Sequence, residues 1–154
     1  MKKLCISMVL CLLLTSCSKV KDDVPVQILA TELGNEIDGY NNMAEASTDY
    51  INYCMNSDLS LYSEYIVLYP FAGTVYNEFG IFKVKNSDDI DKGIEEVKYY
   101  LNFKKENWDT RYLGEEFAKI EKAEVTTFGK YILYTILGDE EKKDVIDEFK
   151  ENLK

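Results

Sequence analysis

The chain has 154 residues, 28 of them acidic and 18 basic, for a formal net charge of −10, and it contains no histidine. A surface that acidic repels phosphate backbones and anionic headgroups, which argues against nucleic acid as a partner. Without histidine, the commonest general base, the commonest metal ligand and every Ser-His or Cys-His nucleophile pair are missing.

The amino end is a targeting segment. Lys2 and Lys3 precede an apolar run from Leu4 to Leu14. A positive start, an apolar middle and small residues at the cut site are what a secretion signal requires. Eleven apolar residues fall well short of the ~20 that a helix needs to cross the hydrocarbon core. Leu14-Thr15-Ser16-Cys17 resembles the lipobox of bacterial lipoproteins. That resemblance implies a diacylglyceryl group on the Cys17 thiol and cleavage between Ser16 and Cys17. The expected organisation is a signal peptide over residues 1–16, a tether over 17–23 and one α+β domain over 24–154. Its partner is then the membrane, through lipid on Cys17, at the extracytoplasmic face. Two acyl chains at ~0.8 kcal/mol per buried methylene suffice to hold a soluble domain there. Cleavage removes two lysines and no acids, so 16 basic side chains face 28 acidic ones and the mature net charge is −12. Cys5 and Cys11 leave with the signal, and only Cys54 remains unassigned. Met43, Ala46, Tyr50 and Cys54 recur at helical spacing, which makes Cys54 a small buried hydrophobe in preference to a reactive thiol.

In chain order, Pro25 suits a first helical position, and Val26, Leu29, Leu33 and Ile37 form an apolar stripe that Gly34 closes. A second helix is expected over Met43 to Met55. The texture then becomes extended. Glu64 to Tyr69, cut off by Pro70, and Phe79 to Val84 read as a hairpin connected through Gly73-Thr74. Ser87 offers a cap for a long helix, with Asp88 and Asp89 at its positive end and Ile90, Ile94, Val97, Leu101 and Trp108 on its apolar face. A shorter helical segment carries Leu113, Phe117 and Ile120. Glu124 to Thr127 and Lys130 to Leu137 make a second hairpin around Phe128-Gly129. Tyr131 to Ile136 is apolar on both faces and reads as a central strand. A last helix after Gly138-Asp139 buries Val145, Ile146, Phe149 and Leu153. The expected fold is α+β, with two leading helices and then ββα-ββα. It would be an antiparallel sheet of about four strands from two hairpins, with helices packed mainly on one face.

Ile81-Phe82-Lys83-Val84-Lys85 with the helix after it, and Phe128-Gly129-Lys130-Tyr131-Ile132, carry a resemblance over roughly Tyr62 to Leu153. Together with the lipobox start, they resemble the family known as domain of unknown function 4358, small lipoproteins of Gram-positive bacteria. The resemblance implies a location and a style of fold, and it implies no activity.

No phosphate-binding glycine loop, Gly-x-Ser-x-Gly elbow or Cys-x-x-Cys occurs, and no cofactor or metal is expected. Twelve tyrosines are many for this length, and their faces can stack on sugars or protein side chains. The candidate recognition residues are Tyr62, Tyr65, Tyr69 and Tyr76 around the first hairpin, and Tyr99, Tyr100 and Trp108 on the long helix. Arg111, the only arginine, is a further candidate. Three functional readings stand in descending order. The first is a non-enzymatic module that binds an envelope protein or stabilises an assembly. The second is a receptor for a small glycan or peptide. The third is a carboxylate-dependent enzyme.

Overall fold

A computed structural model describes residues 20–71, 75–111 and 113–154. Cys17 with the whole signal stretch, and Gly73-Thr74 of the first connection, lie outside the described residues. Pro25 holds φ −64° and lends its carbonyl to the Leu29 amide, so α1 (Val26–Gly34) starts one residue beyond it and Pro25 is the cap. Val26, Leu29, Leu33 and Ile37 are all buried, as their spacing predicts.

The second leading helix does not form. Met43–Glu45 is instead β1, an edge strand antiparallel to β2 (Tyr62–Pro70), and the Ala46 amide continues the ladder to the Val67 carbonyl at 2.8 Å. The apparent helical spacing is interrupted by Ser47-Thr48-Asp49, short polar side chains that compete for backbone groups and start helices better than they continue them. Ser47 does this here. Its Oγ accepts the Tyr50 amide at 3.1 Å and leads into a single π-helical turn, Tyr50–Cys54. Cys54, expected to be buried, is exposed on that turn.

The rest of the sheet follows the two expected hairpins. β2 pairs with β3 (Glu78–Val84), β3 with β5 (Tyr131–Ile136), and β5 with β4 (Glu124–Phe128). The order is β1-β2-β3-β5-β4, antiparallel throughout. Five strands replace the expected four because β1 occupies the open edge of β2 and satisfies backbone groups that would otherwise face solvent. Phe128 stands opposite Tyr131, so the tight turn is Gly129-Lys130, and Gly129 supplies the positive φ of 57°. β5 is internal, and all six of its residues are buried.

Helices cover both faces of the sheet, which corrects the expectation of one. On one face α1 and α4 (Asp139–Asn152) pack through Leu29, Leu33, Val145 and Phe149 onto Ile66, Phe79, Ile81 and Leu133. On the other, α2 (Ile90–Asn107), α3 (Phe117–Glu121) and the Tyr50–Cys54 turn cover Val67, Phe82, Ile132 and Tyr134. The cause lies in the strands. β2, β3 and β5 are apolar at odd and even positions alike, so each face must be removed from water. Ser87 does not cap α2; Ser87–Asp89 makes a 3₁₀ turn and the helix opens after Asp89. Among the described residues no helix is long and apolar enough to cross a membrane.

Candidate functional site

Strand alternation places Glu78, Gly80, Phe82 and Val84 on the α2 face of β3. Phe82 and Val84 are ordinary core residues there. Glu78 is a carboxylate at 0% exposure. A charge that deep persists only when it is paired and hydrogen-bonded.

Its partners come from three elements. Oε1 accepts the hydroxyls of Tyr100 on α2 at 2.7 Å and Tyr134 on β5 at 2.9 Å. Oε2 accepts the Tyr76 hydroxyl at 2.6 Å and lies 2.7 Å from the Lys104 ammonium in the last turns of α2. Lys104 also donates to the Tyr76 hydroxyl, and its Nζ sits 4.8 Å and 5.1 Å from the ring centroids of Tyr76 and Tyr100. Gly80 makes this possible. Any Cβ there would overlap the Tyr134 ring, which crosses β3 on its way to Glu78. Next to this cage, Lys119 pairs with Glu116 at 2.7 Å and donates to Asn77 Oδ1 at 2.9 Å. Glu116 in turn accepts the Tyr76 amide at 2.8 Å, which fastens α3 to the approach of β3.

The cage extends outward to solvent. The Tyr50 and Tyr100 hydroxyls are 2.8 Å apart, and Tyr50 stacks on Tyr69 with centroids 5.6 Å apart. Between the Tyr50–Cys54 turn and the end of α2 lies an open cleft of about 290 Å³. Tyr50 and Cys54 form one wall, and Phe103, Lys104, Asn107 and Trp108 the other, with buried Tyr100 behind them. Trp108 meets Tyr76 edge-on at 4.9 Å, and its buried Nε1 has no hydrogen-bond partner among the described residues. Phe103 on the cleft wall is 47% exposed, and Tyr53 on the Tyr50–Cys54 turn is 81% exposed.

Burial and the nearby Glu78 charge shift these phenols upward. Tyr50 is pushed to about 12, chiefly by burial and then by Glu78, while its bond to Tyr100 pulls the other way. Tyr76, Tyr100 and Tyr134 are raised further, again by burial first. All four stay protonated, and those on Glu78 remain donors, throughout the physiological range. Both Glu78 oxygens are occupied by donors, which leaves this carboxylate poorly placed to take a proton from a substrate.

Four of the sequence candidates meet at this place: Tyr69, Tyr76, Tyr100 and Trp108. Tyr62 and Tyr65 do not. They pack on Phe82, and the Tyr62 hydroxyl donates to Glu96 at 2.8 Å. Tyr99 projects to solvent, and Arg111 is exposed and paired with Asp109 at 2.7 Å. Sequence reasoning missed Glu78, Lys104, Tyr50 and Tyr134. The available signal was the phase of Glu78: it continues the buried series Gly80, Phe82 and Val84, one residue before the expected strand start. Among the described residues no three Asp, Glu, Cys or His side chains gather as a metal site.

The family model described as domain of unknown function (DUF4358) matches residues 35–137. That span begins upstream of the Tyr62 indicated by the sequence motifs, taking in β1 and the Tyr50–Cys54 turn, and it ends before α4. No curated protein and no solved structure matches the chain. All five strands, the Glu78 cage and both walls of the cleft fall within the matched residues, and the chain belongs to the DUF4358 family.

Proposed function

We propose that this chain is a lipid-anchored lipoprotein of the extracytoplasmic membrane face, without catalytic activity, whose cleft receives an apolar side chain of an envelope protein. The observation that carries the reading is the cleft itself, an open hollow of about 290 Å³ lined by Trp108 and by exposed Phe103. Sites that enclose most of a small molecule run from roughly 300 to 1,000 Å³, so this one lies at the bottom of that range and leaves a free ligand largely wet. It is adequate for one protruding side chain within a larger contact, where aromatic residues carry much of the binding energy. The rigid cage beneath supports the same use, because a surface held by buried hydrogen bonds loses little entropy on binding. Saturation of Glu78 supports a non-enzymatic role.

A photo-crosslinking residue at Phe103 in the anchored protein tests this in cells. The expected result is one defined protein adduct, absent when the same probe replaces the distant Glu148 and weakened by Trp108→Ala. The small-ligand reading has one observation in its favour, the unpartnered Trp108 indole N–H, which could donate to a glycan or peptide oxygen. No protein adduct at Phe103, with Trp108 fluorescence shifted by glycan or peptide fragments, would exchange the two readings. The anchor is tested separately. Cys17→Ala is expected to release the protein to the medium, and membrane retention of that variant overturns lipid attachment.

A further inference from the structure

The expected tether over residues 17–23 is not all free chain. From Val20 onward it lies on the domain. A Cβ on Gly129 would come within 2.5 Å of Val20 Cγ1, so Val20 is seated on the β4–β5 turn. The Lys21 amide donates to the Leu153 carbonyl at 2.9 Å, and Lys21 Nζ reaches the Asn152 carbonyl. The Tyr131 hydroxyl then holds the Val24 carbonyl at 2.7 Å, and Glu64 Oε2 accepts the Val26 amide at 3.0 Å.

We propose that this docked strap fixes the orientation of the domain on the membrane. The β4–β5 turn and the end of α4 rest at the headgroups, and the Trp108 cleft points into the aqueous space. This rests on Cys17 being the lipid site. Two residues, Ser18 and Lys19, separate Cys17 from Val20, and the three residue steps at about 3.5 Å each span at most about 10 Å. The headgroup layer is itself about 5–8 Å thick on each side, so the Gly129 turn has almost no room to leave it. Charge does not hold the contact. Lys21, Lys85, Lys130 and Lys154 at this end face Asp22, Asp23 and Glu151 together with Asp88 and Asp89 at the start of α2, so the local charge is close to zero. Short reach alone fixes the geometry, so the orientation is the same on neutral and anionic lipid.

The cleft sits at the other end of the same elements. Glu78 and Val84 are the two ends of β3, about 20 Å apart at 3.3 Å per residue. α2, 18 residues and about 27 Å long, runs from the strap end to Trp108. A partner therefore reaches the cleft from the aqueous side, and a lipid-dissolved ligand does not.

Trp108 is the only tryptophan, which makes the test direct. The full acylated protein is reconstituted in phosphatidylcholine vesicles carrying a headgroup nitroxide quencher, and again with phosphatidylglycerol added. Trp108 is expected to keep its emission, whereas a Trp108→Phe/Lys130→Trp protein loses most of it in both lipid mixtures. Trp108→Phe/Thr127→Trp provides a second reporter, at the end of β4 beside the same turn, should the first fail to fold. A flexible ten-residue insertion between Ser18 and Lys19 is expected to abolish the quenching while the protein still floats with the vesicles. Equal quenching at both ends, or none at the turn in floated protein, overturns the orientation alone. Protein that does not float, or whose Cys17 carries no acyl chains by mass spectrometry, overturns the anchoring and the orientation with it.

Discussion

Strand β3 takes part in two carboxylate–lysine pairs, one at each end, and they are built differently. At the cleft end Glu78 is wholly buried, bonded to three phenols and to Lys104. At the strap end Lys83 pairs across strands with Glu64 at 3.0 Å, and Glu64, 36% exposed, also accepts the first amide of α1. Both pairs clamp a helix to the sheet. Their weights differ because water still screens the second and cannot reach the first. The same chemistry is thus a core element at one end and a surface fastening at the other.

The largest expected effect comes from splitting the buried pair. Lys104→Met leaves Glu78 charged and uncompensated, and should lower unfolding stability by about 3–5 kcal/mol in urea titration. Glu78→Leu combined with Lys104→Met should recover much of that loss, since neither charge is then stranded. A cost under about 1 kcal/mol for the single variant would erase the contrast between the two ends.

The two ends should also fail at opposite extremes of pH. Tyr76, Tyr100 and Tyr134 hold their protons more tightly folded than unfolded, because of burial and Glu78. Their contribution is complete below the ordinary tyrosine value of about 10 and is lost as pH rises past it. Tyrosinate absorbance at 295 nm should therefore rise late, in one step that coincides with loss of circular dichroism. A smooth, early titration of all twelve tyrosines would count against the cage. At Glu64, burial favours the neutral acid, but the Lys83 ammonium and the Val26 amide outweigh it and hold the carboxyl below its usual range. That contribution is present above about 4.3 and disappears as pH falls through the folded value.

Glu64→Gln should accordingly cost only about 1 kcal/mol, flatten the acid limb of the stability curve and speed hydrogen exchange in the first turn of α1. The smallest effect belongs to Arg111→Ala. Its pair with Asp109 stands in solvent, and the change should stay within about 0.5 kcal/mol by thermal melting.

Periodic patterns survive folding when one face of an element decides its place, and this is why the stripes of α1 and α4 and the internal position of β5 were legible. β1 was not, since Met43 to Cys54 satisfies a helical period while the open edge of β2 offers backbone partners that no local pattern records. Cys54 changed sides for the same reason. The cage was hidden for another. Glu78 looks like a strand-leading acid until Tyr134, 56 residues later, and Lys104, on a different element, arrive at its oxygens.

By itself, then, the sequence determined the α+β class, the apolar stripes and the internal position of β5, because those follow from side-chain period and the removal of apolar area from water. Only the tertiary structure decided that three tyrosines and a lysine surround one carboxylate, that a cleft opens over them, and that the chain from Val20 is strapped to the far end. Each of these depends on groups distant in sequence meeting within hydrogen-bond range, and such meetings leave no local period to read.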